Sequence, residues 1–187
     1  MKVLLDACVL YPTVMREVLL GVARAGLFQP LWSARILEEW ARAARKLGPE
    51  GEAQARGEIA VLQATWPRAG VRPAPGLEAR LWLPDENDIH VLAAAIAGSA
   101  DILLTSNASD FPQNTLAEEG LTRRDPDGFL WQLWSGHPEA VALAAEEVRQ
   151  TAERLSGDPW PVRKLMKKAR LPRLGKALDQ ATGSLSR

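Results

Sequence analysis

The sequence predicts a three-layer α/β/α sandwich with a parallel central sheet, followed by a helical C-terminal extension. Two short aliphatic stretches, KVLLD at the start and DILLTSN near residue 105, have the composition of buried strands. Between them, apolar residues recur at helical spacing, and strands that alternate with helices are typical of parallel sheets covered on both faces. A chain of 187 residues is long enough to bury such a core.

The N-terminal part alternates its first strand with helices. After KVLLD, apolar residues recur at helical spacing from Val14 to Ala25, which predicts a helix. The apolar stretch LFQPLW then leads to Ser33, a predicted N-cap, because a serine hydroxyl accepts a hydrogen bond from a free amide at a helix start. The helix after Ser33 has a predicted apolar stripe that extends to Leu47, and a less amphipathic helix is expected from Glu50 to Trp66.

The next elements complete the predicted sheet. GVRPAPG is predicted to be a loop or a short strand, and a helix is expected from about Asp85. DILLTSN follows as the second aliphatic strand, and residues Leu121 to Arg124 are the candidate third strand before a helical PDGFLWQLW segment. Ala-rich helical sequence begins after residue 135. We therefore predict an α/β domain over residues 1–134 and a helical extension with a basic tail over residues 135–187.

Charge is balanced over the whole chain, with 23 basic and 23 acidic residues, so composition alone favours neither nucleic acid nor membrane as a partner. The tail differs, because from Trp160 onward eight Lys or Arg accompany a single Asp. A helix over this tail would have one basic face, which is as consistent with a solvated surface as with RNA phosphate contacts. That face consists of Arg163, Lys164, Lys167 and Lys168.

The single cysteine and the distribution of apolar residues bear on the predicted cellular location. Cys8 is the lone cysteine, which excludes an internal disulfide, and we expect it to be a small buried apolar residue. No apolar run reaches membrane length, and the N-terminus has no signal-peptide pattern, so a cytoplasmic protein without membrane contact is expected.

Acidic side chains are predicted to meet at one edge of the sheet. Asp6 follows the first strand, and Glu39 lies at the border of the stripe of its helix, whereas Glu38 points away from that stripe. Asp85 and Asp88 open another helix, where a rotation of about 100° per residue places them within and beside its apolar arc. Because parallel sheets bind ligands at the carboxyl ends of their strands, these acids are expected to share one site.

A cation would offset the repulsion in such a cluster. Oxygen ligands without additional cysteines or a suitable histidine pair favour Mg²⁺ or Mn²⁺, and these ions promote phosphodiester hydrolysis. Simpler interpretations stay open: Asp6 as a polar loop residue, Glu39 as a solvated helix acid, and Asp85 as a first-turn acid that offsets the helix dipole. Thr105 and Ser106 could contact phosphate or satisfy local backbone. His90, two residues after Asp88, is expected at the surface.

Four motifs taken together resemble the PIN domain of metal-dependent ribonucleases. They are LLDAC with Asp6, ILEEW with Glu39, DENDIHVLAAAI with Asp88, and LLTSNASDFP with Thr105, Asn107 and Asp110. The resemblance covers roughly residues 1–133 and implies an endoribonuclease whose Asp6, Glu39, Asp88 and Asn107 are catalytic. It also implies that the protein is a VapC-type toxin with an antitoxin partner and a homodimeric assembly. Asp110 could add its charge to the metal ligands or cap the turn before Phe111.

One departure from the family pattern opens an alternative. Asn107 stands where many members have a fourth acid, which favours a catalytically weak or inactive PIN-like module that binds RNA or a protein partner. Two other classes fit less well. A haloacid-dehalogenase-like phosphatase requires a D-x-D motif, where this chain has Asp6-Ala7-Cys8, and a receiver domain requires an early acidic pair that is not evident.

Overall fold

The computed structural model describes the backbone of residues 1–185 and the side chains of residues 1–181. The chain forms two compact units. The first, here called the sheet unit, comprises residues 1–11 and 28–124, and the second, the helical unit, comprises residues 12–27 and those from Asp125 onward. The predicted boundary between residues 134 and 135 lies within a helix of the helical unit, so that division stays a prediction, and residues 186 and 187 of the predicted extension lie outside the described residues.

Five strands form the centre of the sheet unit. They are β1 (Lys2–Leu5), β2 (Gln29–Ser33), β3 (Gly70–Val71), β4 (Ile102–Leu104) and β5 (Thr122–Arg124). All neighbouring pairs are parallel, and the order across the sheet is β3-β2-β1-β4-β5. Val3, Leu4 and Leu5 of the central strand are fully buried, as expected for a strand covered on both faces. The predicted α/β fold with a parallel central sheet and flanking helices is confirmed.

Helices occupy most of the remaining described chain. They are α1 (Ala7–Leu10), α2 (Thr13–Arg24), α3 (Ala34–Ala43), α4 (Gly51–Thr65), α5 (Pro75–Glu78), α6 (Ile89–Ala97), α7 (Gln113–Glu118), α8 (Pro126–Gly136), α9 (Pro138–Ser156), α10 (Val162–Lys168) and α11 (Pro172–Leu185), with 3-10 helices at Ala44–Leu47 and Glu86–Asp88. In the helical unit α2 packs against α9, α8 packs against α9 and α11, and α10 packs against α11. No helix within residues 1–185 is both long enough and apolar enough to cross a membrane.

The structure around α3 confirms the predicted N-cap and differs from the predictions for LFQPLW and Leu47. Ser33 is the N-cap, and its hydroxyl accepts a hydrogen bond from the Ile36 amide at 3.2 Å. The stretch LFQPLW contains β2, which the sequence pattern left unassigned because proline is rare in strands. The apolar stripe does not reach Leu47, which is 73% exposed, because the tighter 3-10 turn after α3 rotates that side chain out of register.

Asp127 links two helices of the helical unit. Its carboxylate is 8% exposed and accepts hydrogen bonds from the backbone amides of Arg173 at 2.9 Å and Leu174 at 3.0 Å. These amides belong to the first turn of α11, where the backbone N–H groups have no partner within the helix. A buried acid of α8 thus caps the start of α11.

Candidate active site

The ends of β1 and β4 bring two polar side chains together. The strands pair in parallel with Leu5 opposite Leu104, so the next residues, Asp6 and Thr105, lie side by side. The Asp6 amide donates a hydrogen bond to the Leu104 carbonyl at 3.1 Å, and the Thr105 hydroxyl donates to Oδ2 of Asp6 at 2.7 Å. Both side chains are buried, at 5% and 2% exposure. The strand register therefore places Asp6 and Thr105 together at the carboxyl edge of the sheet.

Cys8 is a hydrogen-bond donor to Asp6. Its Sγ lies 3.0 Å from Oδ2 of Asp6 and accepts a hydrogen bond from the Ser106 amide at 3.3 Å. Burial, and then the neighbouring Asp6 charge, raises the pKa of the Cys8 thiol to about 12, so the thiol keeps its proton at neutral pH. The expectation of a merely apolar Cys8 is wrong, because the strand-to-helix turn places its sulfur among polar groups.

Asp85 and Asp88 lie in a 3-10 turn before α6. Asp85 is exposed, and its Oδ1 accepts hydrogen bonds from the amide and side-chain nitrogens of Asn87, both at 2.9 Å. The predicted helix from Asp85, with this carboxylate inside the apolar arc, is therefore wrong: α6 begins at Ile89 and Asp85 caps the 3-10 turn. Asp88 is half-buried, immediately before α6.

The predicted acids share one electrostatic environment. Burial, and then the charges of Asp6, Asp85, Asp110 and Glu39, together raise the pKa of Asp88 to about 6. These four carboxylates come from separate segments, and each lies close enough to Asp88 to disfavour its ionised form. The charges of these predicted acids thus act together on Asp88, and their sharing of one metal site stays a prediction.

Glu39 contacts a buried histidine. Its Oε1 lies 2.7 Å from Nε2 of His90 and 3.8 Å from Nε of Arg35. The His90 contact has ion-pair distance without hydrogen-bond alignment, since neither ring nitrogen has a hydrogen-bond partner among the described residues. His90 is 4% exposed, so its expected surface position is wrong. It lies on α6, where both faces are covered, as the run of buried residues from Val91 to Ala95 shows.

Glu38 lies in a different environment from Glu39. It forms ion pairs with Arg42 at 3.0 Å and Arg56 at 2.8 Å. The hydrogen bonds from Arg56 and then Arg42 lower the pKa of Glu38 to about 2. This carboxylate is committed to a surface network between α3 and α4, in keeping with its helical angle away from the stripe.

Arg123 positions the loop that follows β4. In that loop the Asn107 amide donates to the Thr105 hydroxyl at 3.0 Å, and Oδ1 of Asp110 accepts from the Ser109 hydroxyl at 3.0 Å. Nη1 of Arg123, on β5, donates to the carbonyl of Phe111 at 2.7 Å and also to that of Ala108. No sequence motif indicates this role, because a guanidinium-to-carbonyl contact leaves no local pattern.

The sequence that forms this site matches a known protein family. Residues 2–109 match the family model described as PIN domain. The chain belongs to the PIN domain family. The match includes every predicted acid except Asp110 and is shorter than the resemblance predicted to residue 133. Neither a curated protein nor a solved structure matches the chain significantly. PIN domains are in general nucleases, and they typically use Mg²⁺ or Mn²⁺.

The side chains of this PIN domain have the chemistry for a hard divalent cation. All the converging acids supply carboxylate oxygens, and the raised pKa of Asp88 marks repulsion that a cation would relieve. Within residues 1–185, however, no group of three or more His, Cys, Asp or Glu side chains is arranged to hold a metal ion. Asp6 and Asp85 accept hydrogen bonds from protein donors and would exchange some of these bonds for an ion.

The Asp88 carboxylate predicts a pH dependence for the metal-free PIN domain. Its folded pKa of about 6 lies above the usual 3.8, so its contribution to stability is fully present below pH 3.8 and is lost as the pH rises through 6. Relative to Asp88→Asn, the wild-type protein should therefore be less stable at about pH 7.5 than at about pH 5, by up to about 1 kcal/mol after solvent screening.

Urea unfolding of both proteins in EDTA at the two pH values measures this difference. Groups that titrate equally in the two proteins cancel, so the comparison isolates residue 88. If the difference in free energy of unfolding between the two proteins is the same at both pH values, repulsion of the Asp88 carboxylate is contradicted.

Proposed function

We propose that the protein is a Mg²⁺- or Mn²⁺-dependent endoribonuclease that hydrolyses RNA phosphodiester bonds. The observation that supports this proposal is the raised pKa of Asp88, on which four other acids of a PIN domain act. Carboxylates that lie near one another repel, and a metal ion bound among them would offset that cost.

The residues have separate roles in this proposal. Asp6, Glu39, Asp85, Asp88 and Asp110 would hold the metal, and a bound Mg²⁺ or Mn²⁺ lowers the pKa of its water and offsets charge on phosphate oxygens. Thr105 and Cys8 fix the orientation of Asp6 through their hydrogen bonds. Ser106 and Asn107 are exposed in the adjacent loop, where a hydroxyl and an amide can donate to a phosphate oxygen.

RNA cleavage with Mg²⁺, with Mn²⁺ and with EDTA tests the proposal. We expect cleavage of a labelled structured RNA in the presence of either ion, loss of cleavage in EDTA and recovery when excess Mn²⁺ is restored. Cleavage that persists in EDTA would contradict a metal-dependent mechanism. RNA binding without cleavage under any condition would support the alternative of a weak or inactive module, which Asn107 in place of a fourth acid favours.

The proposal extends to a biological setting. We infer a VapC-type toxin in the cytoplasm, with an antitoxin protein as inhibitor and a homodimer as the assembly. The support for these points is the resemblance of the four motifs to the PIN family, together with family membership over residues 2–109. Growth arrest caused by the wild-type chain and relieved by Asp88→Asn would support the toxin role.

The basic tail face is proposed as an additional RNA contact. Leu165 and Met166 of α10 are buried, whereas its basic residues are exposed, so the predicted two-faced helix is present. Nζ of Lys164 and of Lys168 lie 5.6 and 4.8 Å from the ring centroid of Trp160. Arg163 lies 3.6 Å from Asp179, and Lys167 completes the face. Cations over an aromatic ring stay exposed enough to approach phosphate.

Replacing the four residues of this face by Gln should weaken RNA binding and flatten its dependence on salt. Each lost contact to a single strand should lower the slope of log affinity against log salt by about 0.7, because fewer counterions are released. Fluorescence anisotropy at several salt concentrations measures this slope. A control variant with Gln at Lys46 and Arg68, exposed residues of the sheet unit, should keep the wild-type slope. An unchanged slope in the tail variant would rule out this contact.

A further inference from the structure

A cleft of about 140 Å³ in the sheet unit is lined by Arg35 and His90, the two residues that contact Glu39, but by none of the predicted metal ligands. Its walls include the first residues of α3, the segment between β3 and α5, and α6. The polar residues among them are Ser33, Arg35, Arg72, Glu78 and His90. At about 30 Å³ per water in the liquid, this volume accommodates one phosphate group or several waters.

His90 is a buried polar group in the wall of this cleft. The side chain is 4% exposed, and neither ring nitrogen has an aligned hydrogen-bond partner within residues 1–185. Leaving a buried polar group without a partner costs about 1–3 kcal/mol, and such groups in folded proteins usually meet a ligand or a water. Nε2 lies 2.7 Å from Oε1 of Glu39 without hydrogen-bond alignment, so Nδ1 is the ring nitrogen without any close polar contact among the described side chains.

The charges at the cleft favour an anion. Arg72 is exposed, and its guanidinium has no ion pair or hydrogen bond among the described residues. Arg35 lies 3.8 Å from both Glu39 and Glu78, beyond hydrogen-bond length, and makes one long contact of 3.5 Å with the Asn87 carbonyl. Five other arginines of this unit are committed to carboxylates or carbonyls: Arg42, Arg45, Arg56, Arg80 and Arg123.

The start of helix α3 also favours an anion in the cleft. Ser33 and Arg35 belong to this helix start, which is the positive end of the helix dipole, although the Ser33 hydroxyl already accepts from the Ile36 amide. Helix starts of this kind bind phosphate when cationic side chains are nearby. The cleft thus combines two arginines, a helix start and a buried imidazole without an aligned partner.

We propose that this cleft binds a backbone phosphate of the RNA strand next to the one that is cleaved. The inference rests on the proposed ribonuclease function. A strand that enters the acidic cluster meets repulsion from its carboxylates, so its neighbouring phosphates require cations close by. Arg35 precedes Glu39 by one helical turn, and His90 follows Asp88 by two residues, so the cleft and the cluster share α3 and the start of α6.

Binding of a short single-stranded oligoribonucleotide in EDTA tests this inference without chemistry. Arg72→Gln should weaken binding about tenfold, as expected for one charge-assisted contact, and should lower the salt slope by about 0.7. Glu78→Gln should strengthen binding, because it removes the acid from the cleft wall. Arg68→Gln is the matched control, since Arg68 is exposed, four residues away and outside the cleft, and it should bind as wild type does.

Two results would overturn the inference. The first is equal binding by Arg72→Gln and Arg68→Gln. The second is a difference between two ligands in calorimetry. If Arg72→Gln weakens the binding of inorganic phosphate but not the binding of the oligonucleotide, the cleft binds free phosphate. Failure of the proposed function is recognised separately, because a wild type that binds through Arg72 yet never cleaves with Mn²⁺ contradicts the nuclease and leaves the phosphate site standing.

Discussion

Asp88→Asn is expected to abolish metal-dependent RNA cleavage and at the same time to stabilise the metal-free protein. The carboxylate is half-buried, and burial and four neighbouring acids raise its pKa to about 6. Asparagine removes the charge and keeps the shape, so at neutral pH the metal-free fold should gain about 1–2 kcal/mol after solvent screening. Cleavage should be lost because the metal ligand is lost. Stability and activity thus move in opposite directions.

Thermal melts with Mn²⁺ and with EDTA measure both effects. Wild type should gain about 2.7 kcal/mol at a hundredfold excess of ion over the dissociation constant, because the ion binds only the folded state. Asp88→Asn should gain little. Glu86→Gln is the matched control: Glu86 is exposed in the same 3-10 turn and is not among the acids that act on Asp88, so it should respond to Mn²⁺ as wild type does.

The opposite pattern would contradict the metal site. A less stable Asp88→Asn protein, together with a wild type that is indifferent to Mn²⁺, would make Asp88 a structural acid and remove the ribonuclease interpretation. Asp6→Asn is expected from the sequence to behave like Asp88→Asn. The structure makes it the less decisive variant, because Oδ2 of Asp6 also accepts hydrogen bonds from Thr105 and Cys8.

Asp127→Ala is expected to destabilise the protein by about 2–3 kcal/mol. The buried carboxylate accepts from two amides at the start of α11, and alanine leaves both without a partner. Asp125→Ala is the matched control, since Asp125 caps α8 through a single amide, that of Gly128 at 2.8 Å, and is exposed. Its loss should cost about 1 kcal/mol, as is typical of an exposed cap.

Urea unfolding monitored by circular dichroism compares the two variants. The destabilisation by Asp127→Ala should exceed that by Asp125→Ala, and Asp127→Asn should fall between them because its amide oxygen still accepts one bond. Equal losses in the two alanine variants would show that burial of the Asp127 carboxylate contributes nothing to the stability of α11.

The sequence by itself determined the elements whose signal is local. Aliphatic runs predicted β1 and β4, helical spacing predicted α2, and Ser33 is the N-cap that the sequence predicts. Because parallel strands end at the same edge, the position of Asp6 at the carboxyl edge of the sheet followed from its place directly after the first strand. The PIN motifs were visible for the same reason: each is a short contiguous stretch.

Only the tertiary structure decided which partner each of these side chains meets. It buried His90 against Glu39, exposed Asp85 as a cap, and directed Arg123 to carbonyls of the loop after β4. It also assigned LFQPLW to β2, whose pairing with β1 outweighs the low strand propensity of Pro30. Periodicity along the chain reports which face of an element is buried, but the partner on that face comes from a segment distant in sequence, so its identity becomes known only when the segments pack together.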